Sequence, residues 1–498
     1  MKQIYKYPIV GIVLLISIYI AISLITAQLF NASRYHQQIE EWFSKRLSRT
    51  FIAEKVEFTL FAGPHIVLKN VTISDAPGYA SEPFLTAPEV SLSLRLIPLF
   101  SSNIIVKKIT FIEPSIHLIE NQAGEFNIRT IFKQGTEWRN VLYSLPVVTT
   151  GDLPEQMPIK TIAIRSGTFV YSSIQEDGTP AEIARLKEIN LTIDNLDFSP
   201  ASSPARFNAG AHFLFTADLS STISKASIKD IPINDIDFSG IIEGNTVTFK
   251  TLRFTLFGGI VKSSASFDFS RPRCIATIHV LGNGITANKL LSIISGNDET
   301  CFGTASLELT LNGYGETFDS FVANLAGEGL FRIEDGHIPY FNLYNELMSL
   351  GITPKTDLPT ATDTPFTLIG GIFSISNKII ETPAIAIKSS KWNAIAKGAI
   401  DFSGLVDFSG LVDFSGDLFL TTPLDFTIKP EYFPSLAKEG MISIPFTLSG
   451  IIGSPDFVLK PNCITEKNVE DIFEEFKNNL NEKYREGFTI KFIKATNF

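Results

Sequence analysis

The sequence reads as a mainly β protein. An N-terminal transmembrane helix is followed by a long twisted antiparallel sheet curled into a groove, with a few short helices and a C-terminal amphipathic helix. Three observations lead there. Roughly 20–25 runs alternate apolar and polar residues with period two, separated by Gly, Pro, Asn, Asp and Ser. The stretch from Tyr7 to Ser33 carries no charged side chain. The 498 residues are 44% hydrophobic and include 41 Phe, while only 19% are charged, below the ~25% of an ordinary soluble domain. Mean hydropathy is +0.18. Such a chain buries a large core, which excludes intrinsic disorder. A net charge of −10 and a pI near 5.3 argue against nucleic acid as a partner, which calls for a basic patch. Three cysteines exclude a disulfide framework.

The uncharged stretch is the first element. Ile9 to Ala27 is almost all Ile, Leu, Val and Ala, and ~20 helical residues span a hydrocarbon layer of ~30 Å. Residues 8–29 are therefore expected in the membrane. Lys2 and Lys6 precede the stretch, while Arg34, Glu40 and Glu41 follow it. That asymmetry predicts a single pass with a cytoplasmic N-terminus. A cleaved signal peptide is the rival reading. Its apolar region is normally ~7–15 residues before a small-x-small site, whereas this run is longer and Ile25-Thr26-Ala27 fits poorly.

Tyr35, Ile39, Trp42, Phe43 and Leu47 then recur at helical spacing, with Asn31 or Ser33 as cap. Period two takes over beyond them. Val90, Leu92, Leu94 and Leu96 share a face, as do Ile189, Leu191 and Ile193. So do Phe213, Phe215, Ala217 and Leu219, and Ala265, Phe267 and Phe269. The pattern continues at Ala305, Leu307, Leu309 and Leu311, at Leu424, Phe426 and Ile428, and at Ile442, Ile444, Phe446 and Leu448. These read as half-buried antiparallel strands. Spaced ~4.8 Å apart they would make a sheet about 100 Å long, which must twist or curl.

Three segments interrupt the strands. Residues 133–158 read as a long loop and Pro339 to Leu350 as a short helix. Asn468 to Arg485 is an amphipathic helix expected to cover a sheet edge, with Ile472, Phe473 and Phe476 on its apolar stripe. DFSGLV occurs at 401–406 and again at 407–412, followed by DFSGDL. It reads as a duplicated strand–turn segment with Ser-Gly as the turn. A calcium loop from Asp401, Asp407, Asp413 and Asp417 would need a different ligand spacing.

Chemistry is hard to find. The six histidines are dispersed, with no HExxH, GxSxG or GxxxxGK[ST]. Cys274, Cys301 and Cys463 lack metal-ligand spacing, although Cys274 and Cys301 could pair in an oxidising compartment. Residues 282–287 (GNGITA) fit a dinucleotide fingerprint but lie among alternating runs, where a turn explains them better. No catalytic residue, metal site or cofactor is expected, and the chain does not read as an enzyme.

Several segments resemble the AsmA family of Gram-negative envelope proteins. They include AGPHIVLKNVTISDAPG (62–78), LTAPEVSLSLRLIPLF (85–100), IVKKITFIEPSIHL (105–118) and the turn GEFN (124–127). The resemblance resumes through residues 303–347, 365–390 and 396–404, and in IPFTLSGIIGSPDF (444–457). It divides the chain into an anchor (1–30), an AsmA-like N-terminal β domain (31–295), an AsmA-like C-terminal β domain (296–462) and a helical tail (463–498). It implies kinship with bridge-like β-groove lipid-transfer proteins, anchored in the inner membrane with their bulk in the periplasm. Membrane phospholipids are the implied partners, with an envelope protein or a second copy besides. A sheet with one apolar face must cover it with a closed core, a second sheet or lipid chains. Each CH₂ removed from water is worth ~0.8 kcal/mol, so acyl chains would be held without a catalytic group. For such a groove, the alternating faces nominate Leu92, Leu94, Phe213, Phe215, Phe267, Phe269, Leu307, Leu309, Phe426, Ile444 and Phe446 as lipid-binding positions. The competing expectation is a periplasmic scaffold or outer-membrane assembly factor with a closed β core.

Overall fold

The computed structural model describes residues 36–59, 63–79, 82–95, 105–128, 159–200, 213–270, 273–315, 318–350, 352–354, 362–390, 392–413, 426–428, 443–452 and 454–460, with 471–472, 474–476 and 478–479 near the C-terminus. The expected membrane helix (8–29) and the loop at 133–158 lie outside them. Among the described residues no helix is long and apolar enough to cross a membrane. The fold is mainly β: among the described residues twenty strands form one sheet and two more form a small separate sheet. The chain divides into two compact units at Phe254/Thr255.

The first unit holds β1 (Phe51–Thr59), β2 (His65–Ile73), β3 (Leu85–Leu94), β4 (Val106–Ile112), β5 (Ser115–Glu120), β6 (Thr161–Ile174), β7 (Pro180–Pro200), β8 (Phe213–Ile228), β9 (Ile231–Glu243) and most of β10 (Thr246–Leu256). Most neighbours are antiparallel. The sheet departs from the all-antiparallel expectation at β6, which runs parallel to both β4 and β5. Parallel pairing needs a long connection, and residues 121–160 supply it. Register carries one apolar face across the strands, from Ile66 and Leu92 through Ile109, Ile162 and Ile193 to Leu219. At β1–β4 this face is closed into a core that includes Leu68, Val90, Leu92 and Leu94. Helix α1 (His36–Leu47) packs Ile39, Phe43 and Leu47 against it.

α1 also stands beside the outer edge of β1. His36, Glu40 and Ser44, four residues apart on one helical face, replace a neighbouring strand. The Ser44 hydroxyl accepts the Phe51 N–H at 2.9 Å and Glu40 accepts the Ala53 N–H at 2.8 Å. His36 Nε2 donates to the Ala53 carbonyl. Just beyond the helix, the side chains of Arg49 and Asp75 are only 1% and 2% exposed and pair at 3.0 Å. Asn127, fully buried, donates to the second Asp75 oxygen at 2.9 Å and accepts the Ile119 N–H at 3.1 Å. The Arg49 guanidinium donates to the Asn127 carbonyl and lies over the Phe84 ring. Burial pulls its pKa below the ordinary value while Asp75 opposes that shift.

The second unit runs as successive antiparallel neighbours: β11 (Gly259–Asp268), β12 (Cys274–Thr286), β13 (Phe302–Gly315), β14 (Ala326–Ile338), β16 (Thr364–Ser376), β17 (Ile379–Lys388), β18 (Asn393–Asp401), β19 (Leu405–Asp413), β21 (Ser443–Ile451) and β22 (Ser454–Leu459). β15 (Ile352–Pro354) pairs with β20 (Phe426–Ile428). Among the described residues three helices interrupt the strands: α2 (Ala287–Ser295), α3 (Phe318–Ala323) and α4 (Leu343–Ser349). The short helix expected at 339–350 is α4, capped by the Asn342 side chain on the Tyr344 and Asn345 N–H groups.

Three local readings are corrected. The repeated hexapeptide adopts two structures. At 401–404 it turns, with Asp401 accepting from the Ser403 and Leu405 N–H groups and Gly404 at φ +86°. At 407–410 the same residues run mid-strand in β19, because β18 and β21 flank them on both sides. Residues 282–286 are the end of β12, bulged between Gly282 and Ile285 and antiparallel to β13, and Ala287 opens α2, so no parallel βαβ unit exists there. The C-terminal helical residues cover a sheet face, not an edge. Ile472 and Phe476 pack on Ile372, Ala384, Ala386, Ile395 and Leu411, an outward patch that is itself apolar.

Candidate functional site: an apolar face on β11 to β14

Directly opposed residues of antiparallel strands point to the same side of a sheet. Register therefore assembles a single face from residues scattered in sequence. Phe267 lies opposite Ala276, and Ala265 opposite Ile278. Ile278 lies opposite Leu311, and Val280 opposite Leu309. Leu307 lies opposite Phe331. Phe267, Ile278, Val280, Leu307, Leu309, Leu311 and Phe331 are all only half-buried. The other side of these strands is mixed: Thr277 donates to Asn312 at 3.0 Å, His279 and Thr310 are 3.0 Å apart, and Ile275, Leu281 and Tyr314 stand exposed among them. Water on that side accounts for the alternation.

Glycines set the relief of the apolar face. A Cβ built on Gly329 would sit 2.7 Å from Leu309 Cβ and 2.8 Å from the Phe373 ring, and one on Gly371 would sit 3.0 Å from the Phe331 ring. The rings thus lie across the neighbouring backbone instead of standing off it. α3 closes one end of β13, where the Phe321 ring lies against Gly313. Further along the same side, register continues from Ile385 through Ala396 and Gly410 to Phe446. There α4 covers it. Leu343, Tyr344 and Leu347 form a closed core with Trp392, Val412, Ile444 and Phe446.

The nominated positions separate accordingly. Phe267, Leu307 and Leu309 come together on the half-buried face. Ile444, at 0% exposure, and Phe446 are core beneath α4. Leu92 and Leu94 are core of the first unit, and Phe215 packs on their cluster. Phe213 opens β8 opposite Pro200. Phe269 lies just past β11, 51% exposed. Phe426 lies in the small sheet, opposite Pro354. Sequence reading missed Phe331, Val280 and the glycines. The signal was present in Gly327, Gly329, Phe331 and Ile333, a period-two run in which glycine takes the place of large residues.

Among the described residues no group of His, Cys, Asp or Glu could hold a metal ion. Cys274 and Cys301 are both free. Cys274 opposes Gly315, at the far end of the ladder from Cys301, roughly 40 Å along the strand. A disulfide needs Cα atoms within ~7 Å, so pairing is excluded by geometry. Burial raises the Cys301 thiol pKa to about 12, which leaves it unreactive at neutral pH.

The chain matches the model of the AsmA family over residues 1–206 and 199–384. No curated protein matches it.

Proposed function

Since the chain belongs to the AsmA family, we propose that it is an inner-membrane-anchored periplasmic protein that binds lipid acyl chains and supports phospholipid transport or outer-membrane assembly. Residues 8–29 are its membrane anchor, with the N-terminus in the cytoplasm. The observation that carries this reading is the half-buried apolar face of β11–β14. Large apolar side chains there run unbroken and partly exposed along one side of the strands, while the other side interleaves Ser, Thr, His and Asn with Ile275, Leu281 and Tyr314. Hydrocarbon tails remove such a face from water at ~25 cal/mol per Å² of apolar area. No bond is made or broken, so no acid, base or nucleophile is needed. Rings laid over Gly329 and Gly371 keep the face low enough for a chain to lie along it.

The scaffold reading draws support from the two closed cores, which engage Leu92, Leu94, Ile444 and Phe446 internally. One experiment separates the readings. Photocrosslinking side chains are placed at Leu309 and Phe331 and, as a control, at Ile444 and Phe446 beneath α4. The conduit predicts lipid adducts at the first pair and none at the second. Absence of adducts from both pairs, in protein correctly inserted in the membrane, would leave the scaffold.

A further inference from the structure

In the first unit, three side chains are hydrogen-bonded in a series that neither packing nor acyl-chain binding calls for. Ser115 and His117 stand two residues apart on β5, so both point to the same side of the strand. Ile116 between them packs on the core beneath α1, which places the pair on the other side of the sheet. The Ser115 hydroxyl lies 3.0 Å from His117 Nε2. Across the ring, His117 Nδ1 lies 3.0 Å from the carboxylate of Glu82, which comes from the segment ahead of β3. With the ring proton on Nδ1 toward Glu82, Nε2 is the acceptor for the Ser115 proton. A hydroxyl bonded to a base that a third group orients is the arrangement that activates a serine. Register adds two more hydroxyls. Thr86 lies opposite Ser115 on β3 and Thr168 lies opposite it on β6, each with its Cβ ~5 Å away on the same side. The side chains of His117 and Glu82 are 26% and 69% exposed, so water and a polar solute reach the group.

We propose that Ser115, His117 and Glu82 form a hydrolytic site for carboxylic esters of a short acyl group. Ser115 Oγ bonds to the ester carbonyl carbon as its proton passes to His117 Nε2. The carbonyl oxygen takes up the negative charge between the hydroxyls of Thr86 and Thr168, which serve as its donors. The bond from carbon to the alcohol oxygen then breaks, and the alcohol leaves with the proton from Nε2. Water cleaves the acyl-serine by the same route, releasing a carboxylic acid and restoring Ser115. Glu82 holds the ring in the required tautomer and balances its charge while it carries the second proton. Thr86 and Thr168 flank the group, and beyond Val170 in register Arg185 pairs with Glu182. Polar flanks suit a short acyl group on a polar alcohol and offer a long tail little apolar surface. The group belongs to the first unit and β11–β14 to the second, so it stands or falls independently of the acyl-chain reading there.

The test uses the full-length protein in detergent, a fluorophosphonate probe that phosphonylates activated serines, and p-nitrophenyl acetate as the ester. Adducts are mapped by mass spectrometry. The expected label falls on the peptide containing Ser115. Ser115→Ala should abolish both the label and the protein-dependent hydrolysis. His117→Ala should slow both about 100-fold or more, the usual share of a general base. Glu82→Gln should slow them less, because water competes for so exposed a partner. The palmitate ester should be cleaved more slowly than the acetate. A Ser115 peptide that stays unlabelled overturns the proposal. So does labelling that is equally fast in His117→Ala, or hydrolysis unchanged in Ser115→Ala. A palmitate ester cleaved as fast as the acetate overturns the assignment of a short acyl group. His117→Gln repeats the test of the base should His117→Ala fail to fold.

Discussion

Two glycines with identical sequence neighbours, Gly404 and Gly410, do different work. Gly404 sits at φ +86°, a left-handed backbone that Asn tolerates nearly as well as Gly. Gly410 is extended, and a Cβ there would sit 2.1 Å from the Ile395 carbonyl oxygen and 2.8 Å from the Phe446 ring. Gly404→Asn is therefore expected to leave stability nearly unchanged. Gly410→Asn should destabilise by about 1–3 kcal/mol or more, the usual cost of overpacking. Chemical denaturation of the pair measures both, and equal losses would contradict the two-structure assignment. No inspection of DFSGLV alone could have divided the copies. The six residues are the same, and the choice between turn and strand is made by the partners β18 and β21. The spacing of Leu92 and Leu94, or of Ile444 and Phe446, is similarly silent about cover. Alternation says which side chains share a face, and only the packing of α1 and α4 says which of those faces is closed.

Helix α1 works as an edge guard. An unpaired strand edge invites pairing with another chain. At Phe51 and Ala53 the outward backbone groups of β1 are bonded instead to Ser44, Glu40 and His36. Replacing Glu40 and Ser44 together by Ala should cost about 1 kcal/mol per lost hydrogen bond and raise the tendency to self-associate, which sedimentation velocity would detect. An unchanged monomer fraction would show that the edge is guarded by other means. The helix itself was legible from Ile39, Phe43 and Leu47, whose spacing marks the buried stripe. Its polar stripe was not, because His36, Glu40 and Ser44 look like an ordinary solvated face until β1 is placed beside them. The C-terminal helix shows the converse. Its apolar stripe was plain, but its target lay in outward residues of β16–β19 that period two assigns to solvent.

Each unit joins a closed core to strands whose apolar side is less completely covered. In the first, burial is concentrated at β1–β4 under α1. In the second, it is concentrated at β18–β21 under α4, while β11–β14 remain half-buried. The mainly β character was legible because period two repeats through hundreds of residues. What stayed hidden was the boundary between core and open face, which depends on a seven-residue helix. Leu347, at 0% exposure, anchors that helix. Leu347→Asp places a charge in the closed core and should release α4. Crosslinks to lipid should then spread from Leu309 and Phe331 to Ile444 and Phe446. Unchanged crosslinking with an intact circular-dichroism spectrum would show that α4 does not limit the path.

The buried Arg49–Asp75–Asn127 knot bears on how the protein withstands mechanical load. It fastens the end of α1 to the chain after β2 and to the turn that follows β5. Under the proposed anchoring of residues 8–29 in a bilayer, any pull between membrane and sheet would arrive first at α1. The knot would pass it to three places, where β1 alone would peel from β2. Opening the knot would strand a carboxylate and a guanidinium away from water, at about 3–5 kcal/mol for a broken buried pair, so the tether and the first strands yield together or not at all.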